Sequence, residues 1–164
     1  MSGARAGVIP ALDVLARAHA DAAQPQAVYA AADRALAAAI GHRLFTILSY
    51  DPDTALATRL YSNLPEAYPA GGSKTLAPGP WTETVLDRGE PYIGRTPADL
   101  QAVFSDHALI ASLDCQSVLN MPIRWRGRTV GSLNLLHAAH WYGPDDAAAC
   151  RPYAQLVLPA LCCA

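Results

Sequence analysis

The stretch Ser117–His137, S-V-L-N-M-P-I-R-W-R-G-R-T-V-G-S-L-N-L-L-H, decides how this chain is read. Two apolar, partly β-branched runs flank a tight polar turn, the pattern of a β-hairpin. Each run carries an asparagine in mid-strand, Asn120 and Asn134. Asparagine is depleted there because its amide competes with the backbone for hydrogen bonds. A two-residue loop, Arg126-Gly127, would force Arg126 to a positive φ, which is unfavourable for arginine. The turn chemistry therefore favours a three-residue loop, Trp125-Arg126-Gly127, with Gly127 in the left-handed position. That register pairs Asn120 with Ser132 and Val118 with Asn134.

Alternation then puts Leu119, Met121, Ile123, Gly131, Leu133 and Leu135 on a core face. The other face carries Val118, Asn120, Pro122, Val130, Ser132, Asn134 and Leu136, with the two amides as diagonal neighbours roughly 7–8 Å apart. A few placed polar groups on an apolar face suit a ligand site. They equally suit the hydrogen-bonding needs of an irregular loop laid over the sheet.

Outward from the hairpin, residues 43–50 and 55–62 read as a second hairpin across the turn Asp51-Pro52-Asp53. Two helices precede it. The first covers about 8–22, with Pro10 in its first turn and Ile9, Leu12, Leu15 and Ala16 at helical spacing. The second covers about 26–40, with Val28, Ala32, Leu36 and Ile40 on one stripe and Gly41 ending it. Residues 63–80 are rich in Pro, Gly and Ser with no hydrophobic period, and a loop of that length is often functional. A short helix over 81–88, a short strand over 90–94 and a partly helical segment over 97–113 follow. The last element is a helix entered at Gly143-Pro144-Asp145-Asp146 and running toward Leu161, with kinks expected at Pro152 and Pro159. The fold class is α+β: a central antiparallel sheet of five or six strands, terminal helices on one face, and loops with short helices forming a pocket on the other. Residues 1–164 are expected to form one domain, with N-terminal helices to 41, the sheet and pocket loops over 43–139, and the C-terminal helix over 143–163.

The chain has 164 residues, 52% of them hydrophobic and 16% charged, which argues for a packed globular protein. A formal net charge of −2 gives no electrostatic reason to expect nucleic acid or an anionic membrane as partner. No run of 18 apolar residues is present, and Asp13, Arg17 and Asp21 interrupt any signal-type segment. The four cysteines, Cys115, Cys150, Cys162 and Cys163, lack a C-x-x-C or disulfide-framework spacing, so reduced thiols in a cytoplasmic protein are expected.

The pattern S-V-L-N-M-P-I-x-x-x-G-x-x-x-G-S-L-N-L-L, Ser117 to Leu136, resembles the two signature strands of GAF domains, and the order of elements is similar from about residue 10 onward. The resemblance implies a small sensory module whose pocket lies between one sheet face and the loops after the second strand, with terminal helices that often form a dimer bundle. Carried onto this chain, the sheet side of the pocket is Val118, Asn120, Ser132, Asn134 and Leu136. The covering wall is Tyr61, Tyr68, Lys74, Trp81, Tyr92, Phe104 and His107. Lys74, the only lysine, stands in a Gly-Gly-Ser-Lys loop and could bring charge to a carboxylate or phosphate. The N-K-x-F-D-E pattern of cyclic-nucleotide-binding members is absent, as is a Cys-His pair suited to a linear tetrapyrrole. No output domain follows, so a separate signalling partner is expected.

An enzymatic alternative exists. One GAF lineage reduces free methionine sulfoxide through a loop cysteine and acids on the pocket face. Cys115 is the nearest thiol here, yet the acid positions fall on Val118, Asn134 and Leu136, and Cys115 is flanked by Asp114 and Gln116 with no cation. His137-x-x-His140 with Asp145 or Asp146 does not make a metal site, because that spacing at a strand end does not align two imidazoles. The Arg124-Trp125-Arg126-Gly127-Arg128 tip reads as a solvated turn. No Ser-His-Asp or phosphate-loop pattern is visible. The reading favoured is a non-catalytic small-molecule sensor without metal or cofactor, dimeric through its terminal helices. A structural dimer without ligand is the third class.

Overall fold

A computed structural model of the chain describes residues 3–163, with side chains from Pro10 onward. Helices α1 (Gly3–Ala18) and α2 (Gln26–Ala39) lead into strands β1 (Leu44–Asp51) and β2 (Leu56–Ser62). Pro10 lies inside α1 rather than in its first turn, because the helix starts five residues earlier than the sequence suggested. The Ile9 side chain falls outside the described residues. Residues 63–80 are not wholly loop: Ser73–Thr75 form a short strand, β3, paired with β2. Helix α3 (Pro80–Thr82) continues as a π-helical turn over Glu83–Asp87. Then come β4 (Tyr92–Gly94), α4 (Pro97–Val103), α5 (His107–Ser112), β5 (Ser117–Trp125), β6 (Arg128–His137) and α6 (Pro144–Cys162).

Local chemistry explains several of these boundaries. Thr96 Oγ1 accepts from the Asp99 N–H and Asp99 Oδ2 accepts from the Thr96 N–H, a capping box that starts α4. Asp146 Oδ2 accepts from the Gly143 N–H at the start of α6, where acids also face the positive end of the helix dipole. Pro152 and Pro159 both lie inside α6 and do not divide it.

The sheet runs β3-β2-β1-β6-β5-β4, every neighbouring pair antiparallel. The β5–β6 turn is the two-residue loop that arginine chemistry disfavours: Trp125 pairs with Arg128, and Arg126 and Gly127 take φ of 50° and 77°. The Arg124 guanidinium offsets that strain by donating to the Gly127 carbonyl across 2.7 Å. A bulge follows, in which Ile123 faces Gly131 and Arg124 faces Thr129, leaving Val130 as the extra residue. The register thus differs by two residues from the three-residue expectation. A slip of two keeps every side chain on its face, whereas a slip of one would invert them. Asn120 therefore stands directly opposite Asn134, not diagonal to it. Val130, set free of the alternation, packs against the main core instead of the opposite face.

Helices α1, α2 and α6 cover one sheet face. Leu15, Val28, Leu36, Tyr153 and Val157 meet Phe45, Ile47, Leu119, Met121, Leu133 and Leu135 there, all fully buried or nearly so. Gly131 is the point of closest approach, where an added Cβ would stand 2.5 Å from both the Leu161 side chain and the Leu48 carbonyl oxygen. A smaller cluster on the opposite face joins Leu44, Val118 and Leu136 to Tyr68, Leu100, Ile110 and Cys115 of the covering segments. The candidate site lies within that second layer.

Candidate functional site

Cross-strand register lays out the floor of the site in rows. Tyr92, Asn120, Asn134, Thr46 and Ser62 form one row across β4, β5, β6, β1 and β2. Pro122, Ser132, Leu48 and Arg59 form the next. Tyr50, Ala57 and Lys74 form a third at the β3 edge.

The buried polar side chains of this floor bond to one another. Trp81, on the covering segment, can only donate through its indole N–H, and it donates to Asn120 Oδ1 at 3.0 Å. That fixes the Asn120 amide, whose Nδ2 then donates to Asn134 Oδ1 at 2.7 Å. Asn134 Oδ1 also accepts from the Ser132 hydroxyl at 2.9 Å, so the Tyr50 hydroxyl 2.7 Å from Ser132 Oγ acts as donor. Asn134 Nδ2 donates in turn to Thr46 Oγ1 at 3.2 Å. Two donor ends, Trp81 by way of Asn120 and Tyr50 by way of Ser132, thus converge on Asn134 Oδ1. Burial raises the Tyr50 hydroxyl pKa well above its usual value, only partly opposed by Ser132, so it stays protonated for this role.

Over this floor lies a cavity of about 90 Å³, enclosed by the sheet, the β3 edge and the α4–α5 segment. Its wall is mostly apolar: Leu48, Leu76, Val103, Phe104, Ile110, Val118 and Leu136. Tyr68 braces the wall from the 63–72 loop. Its hydroxyl donates to Asp106 Oδ2, and the Arg59 guanidinium lies 3.8 Å above its ring. Burial, then the Asp106 contact, pushes the Tyr68 pKa upward. Arg59 also donates to the Pro69 carbonyl at 2.8 Å, while its buried Nε–H has no hydrogen-bond partner among the described residues.

Of the residues expected in the pocket, Lys74, Trp81, Phe104, Val118, Asn120, Asn134 and Leu136 border this cavity, as does Tyr68. Ser132 lies behind it as a link of the hydrogen-bond chain. Tyr92 packs against the second cluster without reaching the cavity, and His107 caps no wall of it. Tyr61 points the other way. It packs on Tyr29 and Phe45 at 6.2 and 6.0 Å between ring centroids and donates to Asp33, beneath the helices. The cause is a bulge: Ile47 faces Tyr61 but Leu48 faces Arg59, so the extra Leu60 reverses the alternation between them. Thr46, Leu48, Tyr50 and Arg59 were not anticipated. Thr46, Leu48 and Tyr50 share one face of β1 by simple alternation, a signal the sequence does carry.

The thiol and imidazole candidates fall elsewhere. Cys115 is buried, and burial pushes its thiol up to about 11, away from the thiolate a nucleophile requires. His137 stacks on Trp141 at 3.6 Å, and its Nδ1 accepts from the Ala138 N–H. No group of three or more metal-ligating side chains occurs among the described residues.

No family model and no curated protein matches the chain by sequence. Solved structures do resemble it. The GAF domain of a phosphoenolpyruvate-protein phosphotransferase from Coxiella burnetii superposes with a TM-score of 0.78 at 16% identity, over 98% of this chain and 95% of that one. The corresponding domain from Acinetobacter gives 0.69 at 13% identity, over 98% and 96%. The GAF domain of a two-component sensor histidine kinase from Bacillus halodurans gives 0.66 at 18% identity, over 85% and 95%. With the six-stranded antiparallel sheet, the helices on one face and the covered cavity on the other, these likenesses make the chain a GAF-like domain by fold.

Proposed function

We propose that the chain is a non-catalytic sensory module that binds a small molecule in the cavity between the sheet and its covering segments, and that a separate signalling protein reads the bound state. The observation that carries this reading is the Trp81–Asn120–Asn134 chain of hydrogen bonds at the cavity floor. It ties the cover to the sheet through the Trp81 indole, which itself borders the cavity, so a ligand that fills the cavity bears on this tie and shifts the population of cover positions. Domains of this fold in a sensor histidine kinase and in a phosphotransferase support a regulatory role. Dimerisation through the terminal helices belongs to the same proposal, supported by Val14, half exposed on α1. A cytoplasmic location is supported by four free cysteines and by the lack of any helix, among the described residues, long and apolar enough to cross a membrane. Methionine sulfoxide reduction is the less favoured reading, since Cys115 is buried with a raised thiol pKa.

A thermal-shift screen of amino acids, nucleotides, nitrate and small carboxylates tests the proposal, with Val118→Phe as the blocked-cavity control. Stabilisation of the wild type that vanishes in a folded Val118→Phe variant is expected. Equal stabilisation of both would place binding elsewhere.

A further inference from the structure

Two cations and no acid line this cavity. Among its described lining residues, the side chains charged at neutral pH are Arg59 and Lys74. The neighbouring acid, Asp106, is outside the lining and accepts from the Tyr68 hydroxyl. Arg59 is held in place by the Tyr68 ring and the Pro69 carbonyl, yet its buried Nε–H has no acceptor among the described residues. A buried charged donor without an acceptor is costly, and a carboxylate oxygen is the acceptor that suits a guanidinium best. Lys74 is exposed on β3 and borders the same cavity, so it stands at the solvent side.

The other end of the cavity asks for the opposite chemistry. Asn120, Asn134 and Thr46 are already bonded to one another and to Trp81, and the walls beyond that row are Val118, Phe104, Ile110 and Leu136. A sugar, a nucleobase or an amino acid brings polar groups for which few partners are left. An ammonium would also meet two cations. The cavity of about 90 Å³ is smaller than the roughly 150 Å³ known to hold a benzene, which limits the apolar part to a few carbons.

Resting on the sensory reading above, we infer that the site takes a short-chain aliphatic monocarboxylate, its carboxylate at Arg59 and Lys74 and its tail toward Val118 and Leu136. Such a ligand supplies the missing acceptor and needs nothing from the polar floor.

Isothermal titration of the full chain with acetate through hexanoate, butanol and butylammonium tests this. Affinity should rise about fourfold per methylene until the cavity is full and then fall. Butanol and butylammonium should bind at least about tenfold more weakly than butyrate, the loss of one charge-assisted pairing. Lys74→Gln changes an exposed side chain and should weaken butyrate while leaving unliganded stability unchanged. Arg59→Gln should weaken it further. Butanol binding as tightly as butyrate, and lost in Val118→Phe, would overturn the anionic head group and leave the sensory reading standing. Carboxylates that fail to bind while another compound class stabilises the wild type do the same. Carboxylate binding unaffected by Lys74→Gln and Arg59→Gln also overturns the inference.

Discussion

Asn120 and Asn134 face each other across β5 and β6, and Asn120 Nδ2 donates to Asn134 Oδ1 over 2.7 Å in a buried setting. Neither amide is a surface accident. Asn134 takes two donors and gives to Thr46, so its removal orphans groups on three strands. Asn134→Leu should therefore cost about 2–3 kcal/mol, the scale of leaving buried donors unpaired. The double change Asn120→Leu/Asn134→Leu should cost less than the sum of the single ones, since both partners then leave together. Urea unfolding midpoints of the four proteins measure this, and strict additivity would contradict the pairing.

Trp81→Phe keeps the aromatic ring and deletes only the donor to Asn120. The expected loss is about 1–2 kcal/mol, from an acceptor left without its N–H. Because Trp81 ties the start of the covering segment to the floor, while Thr129 holds the Val85 carbonyl farther along it, the effect should be local. Amide exchange should accelerate over residues 80–88, while the central strands β1 and β6 keep their protection. Uniform acceleration through the sheet would show that Trp81 serves the core rather than the cover.

Cys115 and Cys150 are held protonated by burial, at about 11 and about 12 against an ordinary 9.0. The folded chain thus binds more protons than the unfolded chain once the pH passes 9. Their contribution to stability is complete below pH 9 and is lost as pH rises through about 11 for Cys115 and about 12 for Cys150. Stability to urea should fall between pH 9 and 11, and a Cys115→Ala/Cys150→Ala variant should show a flatter decline. At pH 8, thiol titration of the native protein should find Cys162 and Cys163, which are exposed, reacting well before the buried pair.

Gly131→Ala should destabilise by about 1–3 kcal/mol, the usual range for overpacking. The Leu161 side chain can move away from the new methyl, but the Leu48 carbonyl oxygen belongs to the paired β1 backbone and cannot. Ala at this position with unchanged thermal stability would contradict the close α6–β6–β1 contact.

The order of elements and the two sheet faces were legible because period-two alternation and helical stripes are long in this chain. The hairpin faces came out right, the bulged Val130 excepted, even though the turn did not, since the error was two residues. What failed was local. Arg126 adopts a left-handed conformation that propensity disfavours, held by Arg124 from two residues before it, a contact no propensity records. Tyr61 was misplaced because Leu60 bulges out of β2, and one unpaired residue inverts everything after it. Arg59 does face the cavity, as the same counting from Tyr61 would have it, but the sequence reading did not name it. Strict counting puts Tyr61 and Arg59 on one face, and only the bulge separates them. Lys74, by contrast, was singled out as a lone lysine in a glycine-rich loop, and it borders the cavity through a short strand the sequence did not suggest.

The sensory function requires that the cavity between the Trp81 cover and the asparagine floor receive a ligand. Proton–nitrogen correlation spectra resolve the Trp81 indole N–H and the Asn120 and Asn134 side-chain amides directly. Titration with the best-stabilising compound of the screen should move all three signals saturably, at one affinity. Saturable shifts confined to surface residues, with those three signals unmoved, would contradict it.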